Sequence, residues 1–347
     1  MRLPLLLATL ISTSGCFATG YVLQAAGGQF ELIHTARPLS VVKEDPSVPL
    51  RVRELLAKVP AIKRYGQLNG LTPTGNYSRY SDLHRSAAVW VVQGCDELAF
   101  EPRRWKFPIV GTVPYLGFFS EKAARNFATE LAKEEPHLDI TVRTASAYST
   151  LGWFKDPVLS TMIPDGPEAF GELANVILHE SVHATVYVKN QSAFDESLAS
   201  FIADELTWLL VVGRSGIQSK EAKAWIAGED RGARFVKELH VAYEDLDAIY
   251  KSKSSNDEKR ALKNARLDRL QQELGLRRRF NNADLAGFRT YDTGGPAFAR
   301  LRKQCGGLPK FLEAVKSLTE EDFPEPQMED FAPVLDALAA RKCQGLL

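Results

Sequence analysis

The chain has 347 residues, enough for one large domain or two smaller ones, and its 45% hydrophobic and 25% charged content is ordinary for a globular protein. Its 43 Lys and Arg balance its 43 Asp and Glu, so no net field draws it to nucleic acid. Beyond the N-terminus no apolar stretch reaches the length of a transmembrane helix.

Met1-Arg2 leads into an apolar run, Leu3 to Ile11, and then Ser12-Thr13-Ser14-Gly15-Cys16. A short basic start, an apolar stretch and small residues are the layout of a secretory signal, too short to span a bilayer stably. The small residues before Cys16 resemble the lipobox of bacterial lipoproteins, departing from it at Thr13, where an aliphatic residue is usual. That resemblance implies a signal peptide over 1–16, an acylated Cys16 that binds the lipid bilayer, and a place in the bacterial cell envelope. Phe17 follows the cysteine, which by resemblance to Gram-negative sorting implies the outer membrane, facing the periplasm. Plain secretion, an uncleaved anchor and a buried N-terminal segment remain as alternatives.

The folded body is expected as a single domain over 17–347. Gly20 to Ile33 is apolar and reads as helix; Pro38 to Leu50 reads as loop; Leu50 to Tyr65 has helical spacing and is ended by the Gly- and Pro-rich stretch Gly66 to Gly75. Ala87 to Val92 suits a buried strand. Trp105 to Val113 and Tyr115 to Phe119 read as extended pieces. Ser120 is placed to cap a helix over Ser120–Lys133, with Ala123, Phe127 and Leu131 on one face. In Asp139 to Tyr148, Ile140, Val142 and Thr144 alternate with polar residues as in a strand. Val158 to Ile163 is expected to return as a hairpin with it, an edge that can hold an extended peptide by main-chain hydrogen bonds. Trp153 and Phe154, between the two, are either pocket or core aromatics.

Asn175 to Asp204 comes next, and the chain is organised around it. It contains His179-Glu180-Ser181-Val182-His183, an H-E-x-x-H motif. On a helix, residues four apart share a face, so both imidazoles can address one ion while Glu180 reaches a water beside it. Val176, Ile177, Leu178 and Val182 make this helix apolar, where two histidines and a glutamate are costly without a strong partner. A turn at Lys189 to Ser192 would fold a second helix back, with Phe194, Leu198, Phe201 and Ile202 at helical spacing and Glu196 as third ligand. Two imidazoles and a carboxylate, with one position open, are the donor set of a catalytic zinc, one Zn2+ per chain. Two hydrogen-bonded histidines on a buried helix are the alternative.

Downstream, Glu221 to Tyr250 and Lys259 to Leu274 read as a charged helical hairpin, within 218–280, broken at Ser252 to Asp257. Phe280 to Tyr291 is loop-rich, and helices over Phe298 to Leu318 and Ala332 to Cys343 close the chain. Cys95, Cys305 and Cys343 are either three buried thiols or one thiol with a Cys305–Cys343 disulfide; no C-x-x-C pair offers a cysteine zinc site.

With these residues in view, the chain resembles a family of bacterial lipoproteins described as predicted aminopeptidases, of the gluzincin type. The likeness spans most of the chain. It rests on Gly28-Gln29, Trp105 to Gly111, Ala147 to Phe154 with Asp156-Pro157, the H-E-x-x-H, Phe194-Asp195-Glu196 and Asn281-Asn282-Ala283. The family usually has F-N-E where this chain has F-D-E, and the chain has no G-x-M-x-N, the amine-gripping motif of the well-known gluzincin aminopeptidases. The resemblance implies zinc on His179, His183 and Glu196, with Glu180 as general base. The expected fold is α+β and predominantly helical: a zincin-like domain with a small edge sheet and a helical hairpin. The expected activity is a zinc metallopeptidase acting on peptides, with Tyr148, His240 and Tyr291 as candidate oxyanion donors and Trp153 as a candidate substrate contact. The competing readings are a lipid-anchored envelope binding or assembly factor that keeps a metal without peptidase activity, and a zinc hydrolase of non-peptide amides.

Overall fold

A computed structural model describes residues 5–107, 111–148, 155–289, 294–328 and 330–343; the side chains of 5–19 and 288–289, that of Cys16 among them, fall outside this description. The N-terminal stretch is one helix, α1 (Leu5–His34). Its inner face is held close to the rest of the domain. A Cβ at Gly28 would lie 2.0 Å from the Phe119 ring, so only glycine fits there. Next come β1 (Arg37–Pro38), α2 (Leu39–Val42), α3 (Leu50–Leu56) and α4 (Val59–Leu68). The expected loop over 38–50 thus begins with a strand and a short helix. The expected helix over Leu50 to Tyr65 is two helices, because Pro60 lacks an N–H to continue the first and opens the second in its first turn.

β2 (Arg79–Ser81), β3 (Val89–Asp96), β4 (Trp105–Phe107), β5 (Gly111–Val113) and β6 (Leu116–Phe118) precede α5 (Glu121–Glu134), β7 (Leu138–Ala145) and β8 (Val158–Leu159). Ser120 caps α5 as expected, its Oγ accepting the Ala123 N–H at 3.3 Å. The described strands form three small sheets, ordered β1-β2-β8, β6-β3-β7 and β4-β5. β3 is central in its sheet and antiparallel to both neighbours. Trp90 and Val92 face α5 while Val89 and Val91 face the main core, so both faces are covered and the run reads as unbroken apolar sequence. The hairpin expected between Asp139–Tyr148 and Val158–Ile163 does not form. β7 pairs β3, and β8 pairs β2 in parallel, in another sheet. Strand pairing is a non-local choice, and β7 found a longer partner in β3: eight register pairs against the two that β8 makes with β2.

The rest is helical: α6 (Ala169–His183), α7 (Ser192–Ser215), α8 (Lys220–Lys251), α9 (Asn256–Leu274), α10 (Asn282–Arg289), α11 (Gly295–Gln304), α12 (Leu308–Val315) and α13 (Ala332–Lys342). The chain is therefore α+β and predominantly helical. α8 and α9 form the expected hairpin; Ser255 and Glu258 make a reciprocal capping box that starts α9 three residues before the expected Lys259. The stretch expected as loop after Phe280 contains α10. The closing helix expected over Phe298 to Leu318 is two, since Gly306 and Gly307 both take positive φ between α11 and α12. Cys305 and Cys343 form a disulfide that ties α11 to the end of α13, and Cys95 stays a buried thiol donating to the Ala99 carbonyl.

Candidate metal centre

α6 buries Phe170, Leu173, Ala174, Ile177 and Leu178 in the main core, which leaves His179, Glu180 and His183 on its remaining face. α7 buries Phe194, Leu198 and Ile202 and turns Glu196 toward them. The contacts descend in register, Asn175 to Asp204 at 2.8 Å and His179 to Glu196 at 3.3 Å, so the two helices are antiparallel and share one polar seam.

Three donor atoms meet in that seam. His179 Nε2 lies 3.3 Å from Glu196 Oε2 and 3.2 Å from His183 Nε2, and His183 Nε2 lies 3.6 Å from Glu196 Oε2. Zinc bonded to N and O at about 2.0–2.1 Å in tetrahedral geometry separates its ligand atoms by roughly 3.3 Å, so this triangle fits one ion with a fourth direction open. Glu180 Oε2 is buried and, among the described residues, has no hydrogen-bond partner. A buried unpaired carboxylate oxygen is costly unless something else occupies the site with it.

The electrostatics of the metal-free group follow from its burial. Burial alone would push the His183 imidazole down, but the hydrogen bond and charge of Glu196, with Glu180 and Asp195 behind it, carry it up to about 9. Burial would raise Glu196, and the two imidazoles overcome it, holding its carboxyl well below the usual range. Asp195 goes the other way: burial lifts it to about 8 against the Val188 N–H and His183. Its Oδ1 accepts Val188 N–H at 2.9 Å while Oδ2 is buried and, among the described residues, without a partner, so it fixes the turn between the ligand helices rather than joining the donor triangle.

That turn is clamped from outside. Asn190 sits at φ 61°, a left-handed conformation that Asn tolerates better than most residues. Its Oδ1 accepts the Thr112 N–H, and a Cβ on Gly111 would stand 2.3 Å from that oxygen. Gln191, 1% exposed, donates to the Glu325 carbonyl and accepts from Met328 N–H, and Gln327 N–H donates to the Asn190 carbonyl at 2.7 Å. Gly111, the last residue of the Trp105 to Gly111 motif, thus leaves room for the turn that sets α7, and with it Glu196, against α6.

Of the other sequence candidates, Tyr148 is half-buried, edge-on to Phe119 at 4.9 Å, and pushed up to about 12 by burial, then by Tyr21 and Asp156. His240 is exposed on α8 and pairs with Glu244 one turn on, at 3.2 Å, away from the triangle. Trp153, Phe154 and Tyr291 lie outside the described residues. Tyr77 is a buried residue within the field of Glu180 that the sequence does not mark. It is 3% exposed, at φ 59°, and burial followed by the charges of Glu180 and Asp156 raises its phenol well above its ordinary value. Asp156 positions it: the Tyr77 N–H donates to the Asp156 carbonyl at 2.7 Å, Asp156 N–H donates to Asn76 Oδ1, and Gln29 Nε2 donates to Asp156 Oδ1. Gln29 and Asp156, two residues of the resemblance, therefore brace the segment that carries Asn76 and Tyr77. No local pattern in the sequence marks Tyr77; only Gly75-Asn76 before it hints at a special turn.

The profile of the family described as "Putative aminopeptidase" matches residues 20–328. No curated protein and no solved structure matches the chain.

Proposed function

The chain belongs to the "Putative aminopeptidase" family, and on that premise we propose that it is a zinc-dependent metallopeptidase of gluzincin type that hydrolyses peptide bonds in the bacterial cell envelope, anchored there through an acylated Cys16. One observation carries the reading: three donor atoms at tetrahedral-edge spacing, with the unpartnered carboxylate oxygen of Glu180 beside them. His179, His183 and Glu196 would hold the ion. When bound, zinc supplies Lewis acidity toward the scissile carbonyl and a water made easier to deprotonate.

The protein's own groups do the rest. Glu180 accepts the proton of the attacking water and returns it to the departing amine nitrogen. Tyr77 keeps its proton, since burial first and the charge of Glu180 next raise its phenol well above its ordinary value. The peptide would add to β7. On the opposite edge of that sheet, β6 is already occupied: Gly117 N–H donates to the Tyr21 hydroxyl and Gln24 donates to the Gly117 carbonyl. On β7 the Ile140 carbonyl is taken by Asn281, and Val142 and Thr144 lie beyond it on the same outward register. The absence of a G-x-M-x-N motif leaves endopeptidase action open beside removal of N-terminal residues.

Zinc content of the purified chain and a peptide-library digest test this together. About one zinc per chain with cleavage is the expected result. Zinc without cleavage would replace it with the metal-containing binding factor, and full metal occupancy in His183→Ala would remove the ligand assignment.

A further inference from the structure

We propose that the outward face of α1 lies in the membrane interface, so that the helix seats the domain flat against lipid rather than only tethering it. Val22, Leu23 and Phe30 are 55%, 67% and 68% exposed. They are three of the twelve large hydrophobic side chains exposed among the described residues, gathered within nine residues of one helix. Leu23 and Phe30 are seven apart and Ala26 falls between them, so they form one stripe. A Cβ at Gly20 or Gly27 would meet nothing within 4 Å, which shows the same face open to its surroundings. The opposite face is committed: Tyr21 and Gln24 bond to β6, Gly28 packs on Phe119, and Gln29 bonds to Asp156.

Lipid is the occupant that fits. α1 continues unbroken from this stripe to Leu5, and no Asp, Glu, Lys or Arg occurs between Arg2 and Glu31. The stripe therefore begins about 10 Å along the helix axis from Cys16, and the proposal rests on the acylation of that residue. A second copy fits poorly: eleven residues of helix make a strip about 16 Å long and about 10 Å wide, far below the roughly 800 Å² per partner of a stable interface. With no charge on the stripe, attachment is apolar and should survive high salt and uncharged headgroups. The proposal stands apart from the peptidase reading, since it uses none of the metal-site residues.

The test uses the full chain carrying an environment-sensitive fluorophore at Leu23→Cys, at Phe30→Cys or, as control, at Lys253→Cys on the exposed turn of the helical hairpin. Each is reconstituted into phosphatidylethanolamine/phosphatidylglycerol vesicles with or without brominated acyl chains. Brominated lipid should quench the labels at 23 and 30 by about twofold or more, at the depth of an interfacial helix, and leave the label at 253 unchanged. Zinc content and thermal stability should match the unsubstituted chain. Protein that floats with the vesicles while labels at 23 and 30 stay unquenched overturns the proposal and leaves the anchor intact. Protein that does not float overturns both. Self-quenching between labelled copies, with sedimentation as a dimer, assigns the face to a second copy instead.

Discussion

Two buried polar clusters in this protein are built on opposite principles. Around Asn282, every group is answered. Its Oδ1 accepts the Tyr250 hydroxyl at 2.7 Å, and its Nδ2 donates to the carbonyls of Asp96, Glu97 and Ala99. Its N–H donates to Asp139, which also takes the buried Lys263, while Asp284 takes Arg278, Thr141 and the Asn281 N–H. In the seam of α6 and α7, one oxygen of Glu180 and one of Asp195 are buried with nothing among the described residues to bond, and two imidazoles and a carboxylate point at one spot. Both clusters lie in stretches that carry the family resemblance. The closed one ties the helical hairpin to β3 and β7. The open one brings together two imidazoles and a carboxylate that could hold a metal ion.

The sharpest way to break that contrast is to neutralise the open cluster without unfolding it. Glu180→Gln keeps size and hydrogen bonding but accepts no proton. Turnover should fall roughly a hundredfold to ten-thousandfold while zinc content and melting temperature hold. A variant that stays active ends the hydrolytic mechanism. Asn282→Ala does the reverse. It strips the partner from three carbonyls and a tyrosine hydroxyl, and should cost roughly 2–4 kcal/mol of stability while the folded fraction keeps wild-type zinc and turnover. Denaturant melts of the variant beside a turnover assay decide it. Loss of activity at unchanged stability would make Asn282 part of the site.

The two clusters also differ in how far the sequence reveals them. H-E-x-x-H is local: helix periodicity alone places His179 and His183 together, and the apolar neighbours Ile177 and Leu178 place them at a buried seam. Glu196 needs only one turn to be drawn correctly. Tyr77 is invisible because its position depends on Gln29 and Asp156, residues 48 and 79 positions away in the chain, and on a left-handed φ that no propensity predicts for tyrosine. The hairpin between β7 and β8 fails for a related reason, since strand partners are chosen across the chain. The role of Asn282 is hidden too: its partners come from separate segments, and a loop-like composition conceals α10.

A smaller effect sharpens the contrast through pH. In the metal-free chain His183 is held up to about 9, so below that pH a proton occupies a donor that zinc needs. Zinc affinity should therefore rise with pH, by up to about tenfold per unit, and level off above about 9. Stability of the metal-free chain has the opposite sign. A histidine raised above its unfolded value contributes fully below about 6.5, and the contribution is lost as pH rises through about 9. Zinc titrations across that range check both. A flat affinity profile would detach His183 from the metal. The Asn282 cluster, with no such histidine, should show no pH dependence of its own in this window.

The smallest expected effect is at Asp195, where the chain departs from the family's usual asparagine. Only Oδ1 is used, accepting the Val188 N–H, and an amide oxygen accepts equally well. Burial holds the acid at about 8, so near neutral pH it is mostly uncharged and already resembles an amide in charge. Asp195→Asn should therefore change zinc affinity at pH 7 by no more than about 1 kcal/mol. The sign with pH is fixed. A carboxyl raised above its unfolded value destabilises the fold increasingly from about pH 4 up to its folded value, and then levels. The metal-free variant should thus be at least as stable as wild type, with an advantage that grows toward pH 8. Bound zinc, a cation nearby, would draw the Asp195 proton off and shrink that advantage. Melts of both proteins with and without zinc between pH 5 and pH 9 measure it. If Asp195→Asn instead strips the metal while Glu196→Gln retains it, the third ligand is Asp195.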